Sequence, residues 1–124
     1  IRIYNTESVE ALVTCWLPGA ASPIHDYELQ QGWVKVLSGT LELEYFNLEK
    51  DKAVIYGNRS IGKGQYVYLN DAMGYHRFIN NSGENVVALH LYCEKIVKWH
   101  EFNEKDGTIS EVEVGCHLEL DTFE

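Results

Sequence analysis

The chain has 124 residues, of which 45% are hydrophobic and 12% aromatic, and a chain of this size and composition builds one globular domain rather than a disordered segment. It carries 19 acidic and 10 basic residues, for a formal net charge of -9, which repels phosphate backbones and anionic lipid surfaces. No apolar run approaches the roughly 20 residues that a membrane helix needs, so we expect no nucleic-acid partner and no membrane, but a small molecule.

Hydrophobic and polar residues alternate along most of the chain, which is typical of half-buried β-strands. The alternation predicts strands at 12–17, 24–28, 33–37, 40–46, 53–56, 65–69, 76–80, 85–92, 95–102 and 109–120. Turn signals lie at 18–19, 38–39, 57–58, 70–71, 80–83 and 106–107. Helical periodicity is weak and is found only at 5–11. We therefore predict an all-β sandwich or small barrel, one domain over residues 1–124, with room for an upstream segment because the sequence begins at Ile1.

The three cysteines, Cys15, Cys93 and Cys116, are odd in number and widely spaced, with no Cys-x-x-Cys pair. Reduced thiols and a cytoplasmic location are the simplest interpretation. Cys15 and Cys116 fall in alternating segments and are expected to be small buried hydrophobes. Unpaired edges of a β-fold need covering, which leaves room for a homodimer.

Histidine and tyrosine side chains mark a candidate metal site. His25 and Tyr27 lie two residues apart on the strand predicted at 24–28, so their side chains share one face. His76 begins another strand, and two strands can aim their imidazoles at one point. The phenol of Tyr27 stands where a third ligand nitrogen would be expected. Neutral imidazole suits iron, copper, zinc and nickel, so the residues do not choose among these metals. His100 and His117 lie in charged segments and are expected to be solvated.

Glycine and histidine spacing resembles the two motifs of the cupin superfamily. The first motif is matched by Gly19, His25, Gly32 and Gly39, with Tyr27 two residues after His25. The second motif is matched by Gly64 and by His76-x3-Asn80. Five phrases within 2–93 also resemble the cysteine dioxygenase (thiol dioxygenase) family: Cys15-Trp16-x-Pro-Gly19, Ser22–Asp26, Leu69–Asp71, Gly74–Arg77 and Leu89–Tyr92. The resemblance implies a double-stranded β-helix, the jelly-roll barrel of the cupins.

The resemblance also implies a cofactor and a reaction. Members of this family hold one non-haem Fe(II) by three histidines and join O2 to a thiolate, yielding a sulfinic acid. His25 and His76 match two of these ligands, and Tyr27 stands at the position of the middle histidine. Another first-row divalent metal remains an alternative.

Two further positions correspond to residues around the iron in that family. His90 and Tyr92 match the last two members of a Ser-His-Tyr relay, whose serine is replaced here by Ala88. Arg2 is placed like the arginine that pairs the substrate carboxylate. Gly32 stands where animal members carry a cysteine cross-linked to the tyrosine, so no thioether is expected.

Two classes of function follow from these residues. The first is a thiol dioxygenase acting on a small thiol that bears a carboxylate, of the cysteine or 3-mercaptopropionate type. The second is a cupin that has lost catalysis and serves as a small-ligand binding or dimer-forming module, which Tyr27 and Ala88 favour. A metal-dependent cupin that uses another class of substrate is a third alternative.

Overall fold

The computed structural model describes residues 2–5, 9–26, 31–70, 73–93 and 98–113, with the backbone alone at 2–5, 9, 93 and 98. Eleven strands are present in these residues. They are β1 Arg2–Asn5, β2 Val9–Trp16, β3 Ile24–His25, β4 Gln31–Ser38, β5 Thr40–Glu49, β6 Lys52–Gly62, β7 Tyr66–Asn70, β8 Tyr75–Ile79, β9 Val86–Cys93, β10 Lys98–Asn103 and β11 Thr108–Glu113. Among the described residues, none forms a helix long and apolar enough to cross a membrane.

The strands form two antiparallel sheets. The five-stranded sheet has the order β1-β2-β9-β4-β7, and the six-stranded sheet has the order β11-β10-β3-β8-β5-β6. Neighbours that are distant in sequence, such as β2 beside β9 and β3 beside β8, indicate crossover connections between the sheets rather than a simple meander. The all-β prediction is confirmed.

Alternation along the strands places the core between the two sheets. In β4, Val34 and Val36 are fully buried, while Lys35 between them is exposed. Leu41 and Leu43 repeat this pattern on β5, in the other sheet. Burying one such side chain stabilises the fold by about 1.5–3 kcal/mol. This shared core fixes the inner faces from which the site residues project.

Three local predictions were wrong. The helical segment suggested for 5–11 is strand wherever it is described, because β1 and β2 pair as a hairpin. The turn predicted at Gly57-Asn58 lies inside β6, where the register with β5 shifts. The turn between these strands instead uses Lys50 and Asp51, both with positive φ. Cys15 is exposed rather than buried. Side chains alternate along β2, and Leu12 and Trp16 on the other face pack against the core. Cys116 lies outside the described residues.

Candidate metal and thiol site

The structure brings His25 and His76 together. They are direct partners across β3 and β8, and their ring centroids lie 4.4 Å apart at an interplanar angle of 63°. Both side chains are buried, with exposed fractions of 3% and 2%. Directly opposite residues on antiparallel strands share one face of the sheet, so the pairing of β3 with β8 alone juxtaposes two imidazoles from distant parts of the chain.

The hydrogen bond of His25 determines its tautomer. Its Nδ1 lies 2.9 Å from the carbonyl oxygen of Asp26, and because a carbonyl only accepts, Nδ1 carries the proton and donates. Burial lowers the pKa of His25 to about 4, so the ring is neutral and its lone pair lies on Nε2. The indole of Trp99 stacks on the ring at 3.9 Å between centroids. A neutral imidazole oriented by a backbone carbonyl is the form in which histidine binds metals.

His76 is held neutral by the same cause. Burial lowers its pKa well below the ordinary value, and the neighbouring His25 and His90 lower it further. The edge of Phe78 packs against its ring at 5.9 Å between centroids. Two buried, neutral imidazoles side by side suit a first-row transition metal better than Mg²⁺ or Ca²⁺, which prefer oxygen.

The described residues include two of the three predicted ligands, His25 and His76. Within the ranges given above, no three histidine, cysteine or acidic side chains are grouped so as to hold a metal ion. Tyr27, predicted as the third ligand, lies outside the described residues. The residues present therefore fit a metal through His25 and His76, and the part played by Tyr27 stays a prediction.

His90 and Tyr92 project from the other sheet. The hydroxyl of Tyr92 lies 3.4 Å from Nδ1 of His90, and both side chains are buried. Phe78 connects this pair to the metal candidates, because its ring meets the rings of both His76 and His90 edge-on at 5.9 Å. Burial lowers the pKa of His90 to about 4, with a smaller effect of His25. The predicted pairing of His90 with Tyr92 is present in the fold.

The hydroxyl of Thr14, which the sequence analysis did not identify, also contacts His90. Oγ1 of Thr14 lies 2.9 Å from Nε2 of His90, and the indole N–H of Trp16 donates to the same Oγ1 at 2.8 Å. Thr14 on β2 is the direct partner of Ala88 on β9, which is the position where the relay serine was absent. Thr14 lies two residues from Trp16, so strand alternation could have placed both on the same face of β2. No sequence signal indicated that β2 pairs with β9.

Two other polar residues near the site were also missed. Glu10 on β2 is only 2% exposed and lies directly opposite Tyr92. A charged residue within a largely apolar strand could have indicated a buried polar group. Tyr45 on β5 lies directly opposite His76. Burial raises the pKa of Tyr45, which keeps its phenol protonated. The inner surface around the histidines therefore contains more hydrogen-bonding groups than predicted.

His100 is not simply solvated, contrary to prediction. Its Nδ1–H donates to Oδ2 of Asp26 at 2.9 Å, and its backbone N–H donates to Oδ1 at 2.7 Å. The backbone N–H of Asp26 in turn donates to the carbonyl of His100 at 3.1 Å. These bonds fix Asp26, whose carbonyl orients His25, so β10 supports the candidate metal site. His117 lies outside the described residues.

Arg2 is placed by its backbone only. It lies on β1 opposite Leu12 of β2, and Leu12 lies opposite His90 of β9. Arg2 is therefore level with His90, two strands away in the same sheet. Its side chain falls outside the described part of the chain, and its pairing with a substrate carboxylate stays a prediction.

Gly32 faces the ring of Tyr92. The two residues are direct partners across β4 and β9, and a Cβ added at Gly32 would meet Cδ1 of Tyr92 at 2.8 Å. The position that carries a cysteine in animal members of the resembled family is thus next to the tyrosine ring. Here it holds no sulfur, and the ring packs directly on the glycine backbone.

Known proteins confirm the fold. The cupin domain of Cnp3 from Schizosaccharomyces pombe superposes with a TM-score of 0.63 at 16% identity, covering 77% of this chain and 59% of that one. The structure of TT1209 from Thermus thermophilus superposes with a TM-score of 0.61 at 16% identity, covering 76% and 82%. The double-stranded β-helix predicted from the resemblance is thereby confirmed.

Sequence relatives identify the family. Cysteine dioxygenase type 1 of Rattus norvegicus is 31% identical over 110 residues, covering 86% of this chain and 55% of the rat protein. The Homo sapiens enzyme of the same name matches with the same identity and coverage. The chain thus spans about half the length of the curated relatives it matches. The family model described as cysteine dioxygenase type I matches residues 4–105, and the chain therefore belongs to the cysteine dioxygenase type I family.

Proposed function

We propose that this protein is a thiol dioxygenase that oxidises a small carboxylate-bearing thiol, of the cysteine or 3-mercaptopropionate type, to its sulfinic acid. Both atoms of O2 are transferred to sulfur, so sulfur is oxidised, dioxygen is reduced and no external reductant is needed. The observation that carries the proposal is the contact between two buried, neutral histidines, His25 and His76, in a chain of this family.

His25 and His76 would hold Fe(II), with Tyr27 as the third protein ligand. The chemistry that a bound ferrous ion supplies is an inner-sphere path between a thiolate and dioxygen held close together. Because both imidazoles are neutral, they leave the positive charge of the metal available to an anionic thiolate. A Tyr27 phenolate would add negative charge and slow the reaction by favouring the ferric state. A protonated Tyr27, with an ordinary pKa near 10, would leave a looser site.

Two other residues would act on the substrate, and a third would orient one of them. Arg2 would pair a carboxylate through two parallel hydrogen bonds, a geometry that guanidinium provides and lysine does not. Tyr92 would donate a hydrogen bond to a bound oxygen, while His90 orients its hydroxyl. These roles predict that cysteine and 3-mercaptopropionate are better substrates than cysteamine, which has no carboxylate.

Metal analysis and O2 uptake test the proposal directly. The purified protein should contain iron or take it up, and should consume O2 with cysteine or 3-mercaptopropionate. His25→Ala and His76→Ala should lose both properties. His117→Ala is the control, because it removes a histidine that is predicted to be solvated and is not a proposed ligand, and it should retain iron and activity. A protein that has neither iron nor thiol-dependent uptake refutes the proposal.

A cupin without catalysis is the second candidate, and Tyr27 is the feature that favours it. Tyr27→His discriminates between the two, because a dioxygenase should gain iron affinity and rate with a third imidazole, whereas a binding module should gain no thiol-dependent uptake. Ala88 no longer favours this alternative, because Thr14 provides a hydroxyl to His90.

We also propose a cytoplasmic location and a homodimer. A reducing compartment suits a ferrous site, a thiol substrate and the exposed free thiol of Cys15. The edge strand β6 exposes Val54, Ile55 and Tyr56, and unpaired apolar edges favour association. Sedimentation analysis that finds only monomer at micromolar concentration would contradict the proposed dimer.

A further inference from the structure

A hydroxyl on β2 stands where β9 lacks one. Ala88 is fully buried on β9, and its methyl group offers no hydrogen bond to His90, which lies two residues further along the same face. Thr14 is directly opposite Ala88, and its Oγ1 contacts Nε2 of His90 at 2.9 Å. The hydroxyl comes from the neighbouring strand, and its contact with the histidine is of ordinary hydrogen-bond length.

The indole of Trp16 favours one direction for this hydrogen bond. An indole N–H only donates, so Oγ1 of Thr14 accepts from Trp16 at 2.8 Å. A hydroxyl that accepts one bond and donates another is strengthened by both, because the bonds polarise each other in the same sense. This cooperativity favours the arrangement in which the hydroxyl proton of Thr14 points to Nε2 of His90 and that nitrogen accepts.

The remaining proton of His90 then lies on Nδ1. Burial lowers the pKa of His90 to about 4, so the ring is neutral and carries one ring proton. With Nε2 as acceptor, Nδ1–H faces the hydroxyl oxygen of Tyr92 at 3.4 Å. In this tautomer Tyr92 accepts from His90, and its own hydroxyl proton is directed away from the imidazole.

We propose that Thr14, held by Trp16, is a positioning residue that fixes His90 as the Nδ1–H tautomer and thereby sets Tyr92 as a hydrogen-bond donor to substrate oxygen. The donor chain runs from Trp16 through Thr14 and His90 to Tyr92. This role rests on the proposed dioxygenase function. The β-branched side chain of threonine suits it, because its χ1 is restricted and holds Oγ1 in place.

The ring nitrogens of His90 in the metal-free protein provide the first test. Long-range ¹H–¹⁵N spectra distinguish the two neutral tautomers, with His90→Gln used to assign the signals. The parent protein should show the Nδ1–H form, and Thr14→Val, which keeps the shape but removes the hydroxyl, should raise the Nε2–H population. A parent protein in the Nε2–H form, or a tautomer unchanged by Thr14→Val, overturns the proposal. Neither result depends on iron or turnover, so failure here is distinct from failure of the proposed function.

Steady-state kinetics provide the second test. Thr14→Val should lower kcat by about 10- to 100-fold, as changes to the groups that orient a metal centre do, with KM for the thiol nearly unchanged. Thr14→Ser, which keeps the hydroxyl, should retain the parent kcat within a few fold. Adding Ala88→Ser to Thr14→Val should restore kcat, because it returns a hydroxyl to the face of β9 that carries His90. Equal losses in the valine and serine variants would show a packing role and overturn the proposal.

Discussion

Replacing Gly32 by alanine tests whether Tyr92 needs direct contact with the backbone of β4. A Cβ at position 32 would lie 2.8 Å from Cδ1 of Tyr92, 3.2 Å from Cε1 and 3.2 Å from the carbonyl oxygen of Leu91. Carbon atoms in contact are separated by about 3.5–4.0 Å, so the ring must retreat by about 1 Å. The carbonyl of Leu91 is part of the backbone of β9 and yields less readily than a side chain.

The size of the effect follows from two opposing contributions. Overpacking a core costs about 1–3 kcal/mol, while replacing glycine by alanine where the backbone allows it stabilises by about 0.4–1 kcal/mol through the unfolded chain. The net loss expected for Gly32→Ala is therefore about 1–2 kcal/mol, which lowers Tm by about 4–8 °C for a domain of this size. The hydroxyl of Tyr92 already lies 3.4 Å from His90, so a retreating ring should lose this contact and most of the activity.

Thermal unfolding and thiol-dependent O2 uptake measure both effects. Gly57→Ala is the matched control, because Gly57 is also a strand glycine opposite a tyrosine, and its added Cβ would meet Cδ2 of Tyr45 at an ordinary 3.7 Å. The control should keep its Tm and its uptake. If Gly32→Ala is as stable and as active as the parent protein, the packing of Tyr92 on Gly32 does not hold the relay in place.

Three further predictions concern the same site. The folded pKa values of about 4 for His25 and His90 lie below the unfolded value of 6.5, so the unfolded chain binds more protons between these limits. The unfolding free energy of the metal-free protein should fall as pH drops below 6.5, by up to about 1.4 kcal/mol per pH unit for each histidine; denaturant titrations at pH 7.0 and 5.5 that coincide would contradict this. Asp26→Ala should destabilise by about 1–3 kcal/mol, because it leaves the partly buried backbone N–H of His100 without its side-chain acceptor, and Asp26→Asn should lose less, as chemical denaturation will show. Phe78→Ala should cost about 3–5 kcal/mol, whereas Phe78→Leu should cost less and keep iron bound, which unfolding and metal analysis check together.

Much of the candidate site was visible in the sequence because it depends on local spacing. Period-two alternation showed which residues share a face, and the glycine framing of His25 and His76 indicated a cupin. The same alternation failed at Gly57, where a residue typical of turns marks a register shift within a long strand. It also failed at Cys15, whose side chain was expected on the buried face of β2 but is exposed.

The sequence by itself determined the β class of the fold, the family and the residues available for metal binding. Only the tertiary structure decided which hydroxyl serves His90, because Thr14 lies 76 residues away along the chain and reaches it through the pairing of β2 with β9. Alternation specifies the face of a strand but not its neighbour or its register. Those are set by how two whole sheets pack over a common core, which is a property of the complete fold.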